Sequence, residues 1–358
     1  MRDHFVDGVI ESMHKHPLIR GDAKFIDPHT LEVEGKKYSA ASIIICTGSK
    51  PHIPEVFQNY EDDILTTDTL FEQEDLPESM AVIGMGTTGA ETAQALARLG
   101  TEVFAFEPAD TVMGVVDHDI ADLAKDLLRQ DMRLYVNTNI RQMEPINPHY
   151  RLITESKTTE MSGILVCAGR EPDLEGLNLE ALDIECAEDG LPKFDPETLK
   201  IKDHQIYIAG DANNRQAILH EAANEGTIAA QHALNIEIKD RRFPPFTITF
   251  THPSYVSIGK VDPTSENLIV GAASFQNQAR ARMKGENFGL AKLYADPHKG
   301  TLVGAEILAP AGEHLGHFIY LAIERNMKAQ ELLDIPFYHP TLEEGLRPAL
   351  KGITEQLS

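Results

Sequence analysis

Gly84-Met85-Gly86-Thr87-Thr88-Gly89 stands between the apolar run Ala81-Val82-Ile83 and a stretch with helical spacing that reaches Leu99, where Gly100 is placed as a cap. No other segment constrains the fold as much. In a G-x-G-x-x-G turn the first glycine allows the tight bend, the second lets a pyrophosphate approach the backbone, and the third lets helix and strand pack closely. The phosphates then sit on the helix N-terminus. Eighteen residues beyond Gly89, Glu107 ends the next expected strand, Thr101–Phe106. A carboxylate there accepts hydrogen bonds from adenosine ribose hydroxyls and repels a 2′-phosphate, so the pattern favours NAD(H) over NADP(H). A helix over 117–130 and an extended stretch over Arg133–Val136 complete a βαβαβ half. The plain alternative is a tight strand–helix turn that binds nothing, and strand, helix and Glu107 standing in register disfavour it.

The flanking segments are less specific. Phe5, Val6, Val9, Ile10 and Met13 lie at helical spacing, which predicts an amphipathic helix over 2–15. A meander follows over Ala23–Ile26, Leu31–Glu34 and Lys37–Ala40, with turn residues at each corner. Ser42–Cys46 reads as a buried strand ending at Thr47-Gly48-Ser49, which by itself is a turn. Two further buried strands, Ile164–Val166 and Ile206–Ile208, run into Ala168-Gly169-Arg170 and Ala209-Gly210-Asp211. A carboxylate at such a strand end bonds a polyol or ribose hydroxyl, or serves as a turn or N-cap residue. A long helix is expected over 216–234, and beyond Pro244-Pro245 come strands, a helix near 312–327 and a C-terminal helix after Pro340. In His339-Pro340-Thr341-Leu342-Glu343-Glu344 a carboxylate five residues after a histidine can fold back across the helix start, fix the imidazole tautomer and raise its basicity. His339 is one of 15 histidines, and a surface or capping role is the competing reading.

Charge narrows the partners. With 32 Lys+Arg against 56 Asp+Glu the formal charge is −24, a field that repels phosphate backbones and anionic lipid. Nucleic acid and membrane surfaces are therefore not expected as partners. The cysteines, Cys46, Cys167 and Cys186, are 121 and 19 residues apart, which excludes a C-x-x-C, a zinc ribbon and a disulfide framework, and no metal site is expected. Few cysteines, no basic-then-apolar leader and no run of 18 apolar residues predict a cytoplasmic protein.

Taken in chain order, Cys46–Pro51, the Gly84/Gly86/Gly89 turn with Glu107, Cys167–Pro172, Ile208–Asp211 followed by His220–Gly226, and His339–Glu344 resemble the flavin-dependent pyridine nucleotide–disulfide oxidoreductases. The resemblance is closest to the dihydrolipoyl dehydrogenases. It implies an α/β fold of Rossmann-like FAD- and NAD(P)-binding domains plus a C-terminal α+β dimerisation domain. On that plan 1–55 with 172–243 form part of an FAD-binding domain, 56–171 an NAD-binding domain, and 244–358 the interface of a homodimer. It further implies that Thr47, Gly48, Ser49 and Asp211 flank FAD, and that Gly169, Arg170 and Pro172 lie beside the nicotinamide cofactor. His339 becomes the base for a small dithiol or lipoyl substrate, oriented by Glu344, in the partner subunit's site.

One departure is large. Family members carry an N-terminal FAD-binding βαβ with its own G-x-G-x-x-G, and a redox-active C-x-x-x-x-C, and neither occurs here. At least one βαβ, roughly 30 residues, is missing from the pattern. Either the sequence is an N-terminally truncated reading of a longer gene or it is a shortened relative; truncation is favoured, because His339 and Glu344 have no disulfide to serve. The cysteines then read as small hydrophobes, Cys46 and Cys167 in buried strands and Cys186 in an acidic loop. Soluble transhydrogenases share most of these motifs. Glutathione reductases share the His-Pro-Thr-x-x-Glu ending but use NADP(H), which Glu107-Pro108-Ala109 opposes, and mercuric reductases lack the histidine pair. A non-catalytic, dimeric NAD-binding protein is the alternative of a different class.

Overall fold

The computed structural model describes residues 2–13, 15–188, 190–236 and 242–357, apart from the side chains of residues 2 and 3. It forms two compact units, 1–50 with 170–241 and 51–169 with 242–358.

The second unit holds the glycine turn. Its five-stranded parallel sheet runs Leu65–Thr66, Gly163–Val166, Ser79–Ile83, Glu102–Phe106, Arg133–Tyr135. Strands covered on both faces need apolar residues at consecutive positions, and Met80–Ile83 and Gly163–Val166 are buried throughout. Thr87–Arg98 buries Ala90, Ala93 and Leu96 on one face, and His118–Leu128 buries Ile120, Ala121, Ala124 and Leu128. Asp117 caps the latter helix, its carboxylate accepting from Asp119 N at 3.1 Å and Ile120 N at 3.3 Å. The opposite face of the sheet packs against an antiparallel meander, Gln142–Pro145, Tyr150–Ile153 and Thr158–Met161, through Met143, Leu152 and Met161.

The C-terminal part of this unit is a five-stranded antiparallel sheet, Phe246–Thr249, Ser254–Gly259, Leu302–Ala309, Leu290–Ala295, Ile269–Ser274, covered by Gly312–Glu324 and Arg347–Leu357. Two polar seams join it to the nucleotide-type sheet. Along the first, Glu91 accepts the Phe250 N–H at 2.7 Å and Gln94 accepts the His252 N–H at 2.7 Å while donating to His252 O at 3.2 Å. Arg98 also donates to that carbonyl, so one stripe of the Thr87–Arg98 helix grips the bent backbone between the first two strands of this sheet. In the second seam Glu306, 0% exposed, accepts the backbone N–H groups of Val116 and Asp117, each at 2.8 Å, and the Tyr255 hydroxyl. Asp117 in turn accepts from Lys292 at 2.7 Å and from Tyr294 at 3.2 Å. Burial pushes both tyrosine hydroxyls up, and the carboxylates beside them add to it. Burial alone would lower Lys292; Asp117 and Asp119 outweigh it and hold the ammonium above its usual value.

The first unit pairs Ile43–Ile45 in parallel with Ile206–Ile208, and packs Phe25, Ile43, Ile45, Leu182, Ile206 and Ile208 into one core. The N-terminal meander lies at Ala23–Asp27, Thr30–Val33 and Lys36–Ser39, and the long helix at Leu219–Ala233. Three expectations change. The strand expected over 42–46 stops at Ile45, which leaves Cys46 exposed beyond its end and not buried in it. Cys167 likewise lies past the Gly163–Val166 strand and is half-buried. The helix expected over 2–15 is Arg2–Met13, with residue 14 outside the described residues, and Phe5, Val6, Val9 and Met13 stay exposed, Phe5 at 68%, while Ile10 is partly buried.

Candidate functional site

The three glycines of the turn have different surroundings. Gly84, at φ +91°, donates to Phe106 O at 2.8 Å, and a Cβ built on it would stand 2.5 Å from Cys167 O. On Gly89 a Cβ would stand 1.9 Å from Gly84 O, so strand end and helix approach each other only without a side chain. On Gly86 a Cβ would meet nothing within 4 Å. That open face, at the first turn of a 12-residue helix, is where a phosphate can reach backbone N–H groups.

Around the turn lies a cleft of about 420 Å³, walled by Gly86, Thr87, Glu107, Asn139, Cys167 and Gly169, among others. The Glu107 carboxylate accepts the Met85 N–H at 2.6 Å and the Ala109 N–H at 2.9 Å, which fixes its position relative to the glycine turn. Burial pushes the Cys167 thiol up to about 11, with a weak opposing contact from Thr92 at 3.8 Å. The thiol is therefore neutral near pH 7 and is not an activated nucleophile. Cradle, helix end and carboxylate together fit a dinucleotide.

In the first unit the residues expected at a flavin come together. Ser49 Oγ donates to Asp211 Oδ2 at 2.8 Å, beside Thr47 and Gly48 on the same loop. Gly48, at φ +77°, has no atom within 4 Å of a built Cβ. Arg170, expected beside the nicotinamide, sends Nε to Ser49 Oγ at 2.8 Å and Nη2 to Ser49 O at 2.6 Å; its neighbour Gly169 is the one that lines the cleft. Under the Asp211 turn the buried Glu225 accepts Gly210 N–H at 2.9 Å and Asn213 Nδ2 at 2.6 Å. These groups fit the hydroxyl-bearing end of FAD in part, whereas its pyrophosphate would need a second glycine turn, and the sequence holds one G-x-G-x-x-G.

At the C-terminus His339 Nδ1 lies 3.1 Å from each Glu344 oxygen, and the imidazole side chain is 71% exposed against 19% for the carboxylate. The fold-back follows from the turn after Pro340 and the short helical turn Glu343–Leu346. Sequence reasoning missed Glu306 and Gln278, which meet Val116 and Thr341 far along the chain, and also Glu225, which left a signal by standing within the 220–226 segment that follows Asp211. Among the described residues no group of three or more His, Cys, Asp or Glu is placed to hold a metal ion, and no helix is long and apolar enough to cross a membrane.

Comparison with known proteins places this architecture. The family described as pyridine nucleotide-disulphide oxidoreductase matches residues 5–226, and its dimerisation domain matches 245–350. The chain is 30% identical over 355 residues to a mercuric reductase of Staphylococcus aureus, covering 95% of this chain and 64% of that protein. It is 28% identical over 372 residues to a dihydrolipoyl dehydrogenase of Thermus scotoductus, covering 98% and 80%. The two groups match almost equally, so identity does not choose between them. Among solved structures, the HOCl-induced flavoprotein disulfide reductase RclA from Escherichia coli superposes with a TM-score of 0.88 at 21% identity, covering 98% of this chain and 83% of that one. Members of the matched family use FAD and NAD(P). With that family matched across more than half of its length and the glycine cradle in place, the chain belongs to the pyridine nucleotide-disulphide oxidoreductase family.

Proposed function

We propose that the chain provides the NAD(H) site, part of the flavin site and the acid–base pair of an oxidoreductase of dihydrolipoyl dehydrogenase type. Residues 1–55 with 172–243 are its flavin part, 56–171 its nucleotide part, and 244–358 the face through which two copies pair. The observation that carries this reading is the His339–Glu344 contact at 3.1 Å. Glu344 holds the Nδ1–H tautomer, and the exposed Nε2 then accepts a proton from a substrate thiol to leave a thiolate. FAD, when bound, supplies two-electron transfer between thiol chemistry and the nicotinamide. Thr47, Gly48, Ser49 and Asp211 would hold its hydroxyl-bearing end, and Gly86 with Glu107 would hold NAD(H).

The thiolate needs a disulfide to attack, and Cys46, Cys167 and Cys186 do not form a C-x-x-x-x-C. The 358-residue polypeptide alone is therefore expected to show no lipoamide-dependent turnover of NADH; robust turnover in that assay would sink the reading. The same cysteine arrangement favours, as second reading, a dimeric NAD-binding protein without dithiol chemistry. Flavin absorbance in the purified protein supports the first, and a colourless NAD-binding dimer the second.

Cofactor choice rests on Glu107. Removing its acceptors in Glu107→Ala is expected to weaken NADH binding about tenfold, the upper range of a single hydrogen bond, and to narrow the preference over NADPH. Fluorescence titration with each nucleotide measures both, and an unchanged NADH/NADPH ratio counts against the assignment.

A further inference from the structure

We infer that Gln278 is a positioning residue for the His339–Glu344 pair, an assignment that rests on the acid–base reading above. Gln278 is 9% exposed and caps the short helix Ala279–Lys284. Its Oε1 accepts the Ala281 N–H at 2.7 Å. Its Nε2 donates to the Thr341 carbonyl at 2.6 Å and reaches Glu344 Oε1 at 3.5 Å. One amide thus ties the cap of one helix to the loop that carries His339 and to the carboxylate that faces it.

Chemistry fixes the orientation of this amide. Oε1 faces a donor and Nε2 faces two acceptors, so a flipped side chain would set oxygen against the Thr341 carbonyl and the Glu344 carboxylate. Packing holds it as well. A Cβ on Gly345 would stand 2.9 Å from the Phe275 ring and 3.1 Å from Gln278 Cγ, so the residue after Glu344 is a glycine on which both side chains rest. The short 2.6 Å bond fixes the Thr341 backbone, and the Thr341 N–H in turn points to Glu344 Oε1 at 3.4 Å. His339 is mostly in solvent, and its tautomer is set by where Glu344 stands. Glu344 stands where Gln278 and the Thr341 backbone put it.

The test needs neither flavin nor turnover. Nitrogen-15 shifts of the His339 ring, identified with His339→Asn and recorded at a pH where imidazole is neutral, report which nitrogen carries the proton. The wild type is expected to show mainly the Nδ1–H form. Gln278→Glu keeps an acceptor for Ala281 N–H but loses the donor to Thr341 and Glu344. It is expected to lower the ratio of Nδ1–H to Nε2–H about threefold to tenfold, the range of a single hydrogen bond, with the fold retained by circular dichroism. A purely structural role for Gln278 predicts an unmoved ratio, and that result overturns the inference. If Glu344→Gln also leaves the ratio unmoved, the acid–base pairing itself fails; if Glu344→Gln shifts it and Gln278→Glu does not, only the role of Gln278 fails. Independently of any variant, the Gln278 carboxamide protons should exchange slowly with solvent, and rapid exchange overturns the inference equally.

Discussion

Gly89→Ala is expected to lose both stability and NADH binding, while Gly86→Ala loses binding alone. The added Cβ at 89 would sit 1.9 Å from Gly84 O and 2.9 Å from Gly84 C. These are backbone atoms of the same turn and cannot swing aside, so the helix must leave the strand or the turn must open. Overpacking of this kind costs about 3 kcal/mol or more, and the displaced helix end should lower NADH affinity about a hundredfold, ~2.7 kcal/mol. At 86 a methyl meets no protein atom within 4 Å, so the unfolding temperature should hold while the phosphate's space is filled. Thermal unfolding with and without NADH, alongside a fluorescence titration, separates the two variants. A Gly86→Ala protein that binds NADH like the wild type would show that the open face is not the phosphate cradle.

Glu306→Leu is expected to be the most destabilising change outside the glycine turn. It strips the Val116 and Asp117 N–H groups and the Tyr255 hydroxyl of their common, fully buried acceptor. Breaking such a buried charged network costs about 3–5 kcal/mol. Lys292 keeps Asp117 and Asp119 and does not become an orphan charge, so the loss is confined to the three donors. Glu306→Gln makes the sharper comparison. It has the same shape, but its amide nitrogen would face an N–H, so about 1–3 kcal/mol should still be lost. Urea unfolding of both variants gives the two values, and a loss below about 1 kcal/mol for Glu306→Leu would mean that the seam is hydrated.

What was readable in the sequence was local. The glycine turn, the strand before it and Glu107 lie within one βαβ segment, and His339 and Glu344 are five residues apart, so spacing alone brings them into reach. The unread parts depend on remote backbone. Gln278 meets Thr341 across 63 residues and Glu306 meets Val116 across 190, and neither side chain carries a local pattern that marks it. Arg170 lies in a motif that was legible, but its bonds to Ser49 span 121 residues and carry no local pattern. The meander over 142–161 was illegible for another reason, since its four-residue strands are too short to show a period. Helical spacing did locate the Arg2–Met13 helix, yet periodicity says which side chains share a face and not whether anything covers them.

The double duty of Glu107 limits how this protein can be re-engineered or can drift. Its carboxylate is the strut between Met85 and Ala109 as well as the group that would select the ribose. A lineage or a designer exchanging it for a cation to admit a 2′-phosphate would also knock out the strut, leaving the Met85 N–H without its acceptor at the tip of the turn. On the proposed assignment of Glu107, cofactor preference is not a one-letter trait. A working switch requires a second, compensating substitution that restores an acceptor for Met85, and the two changes should be strongly epistatic.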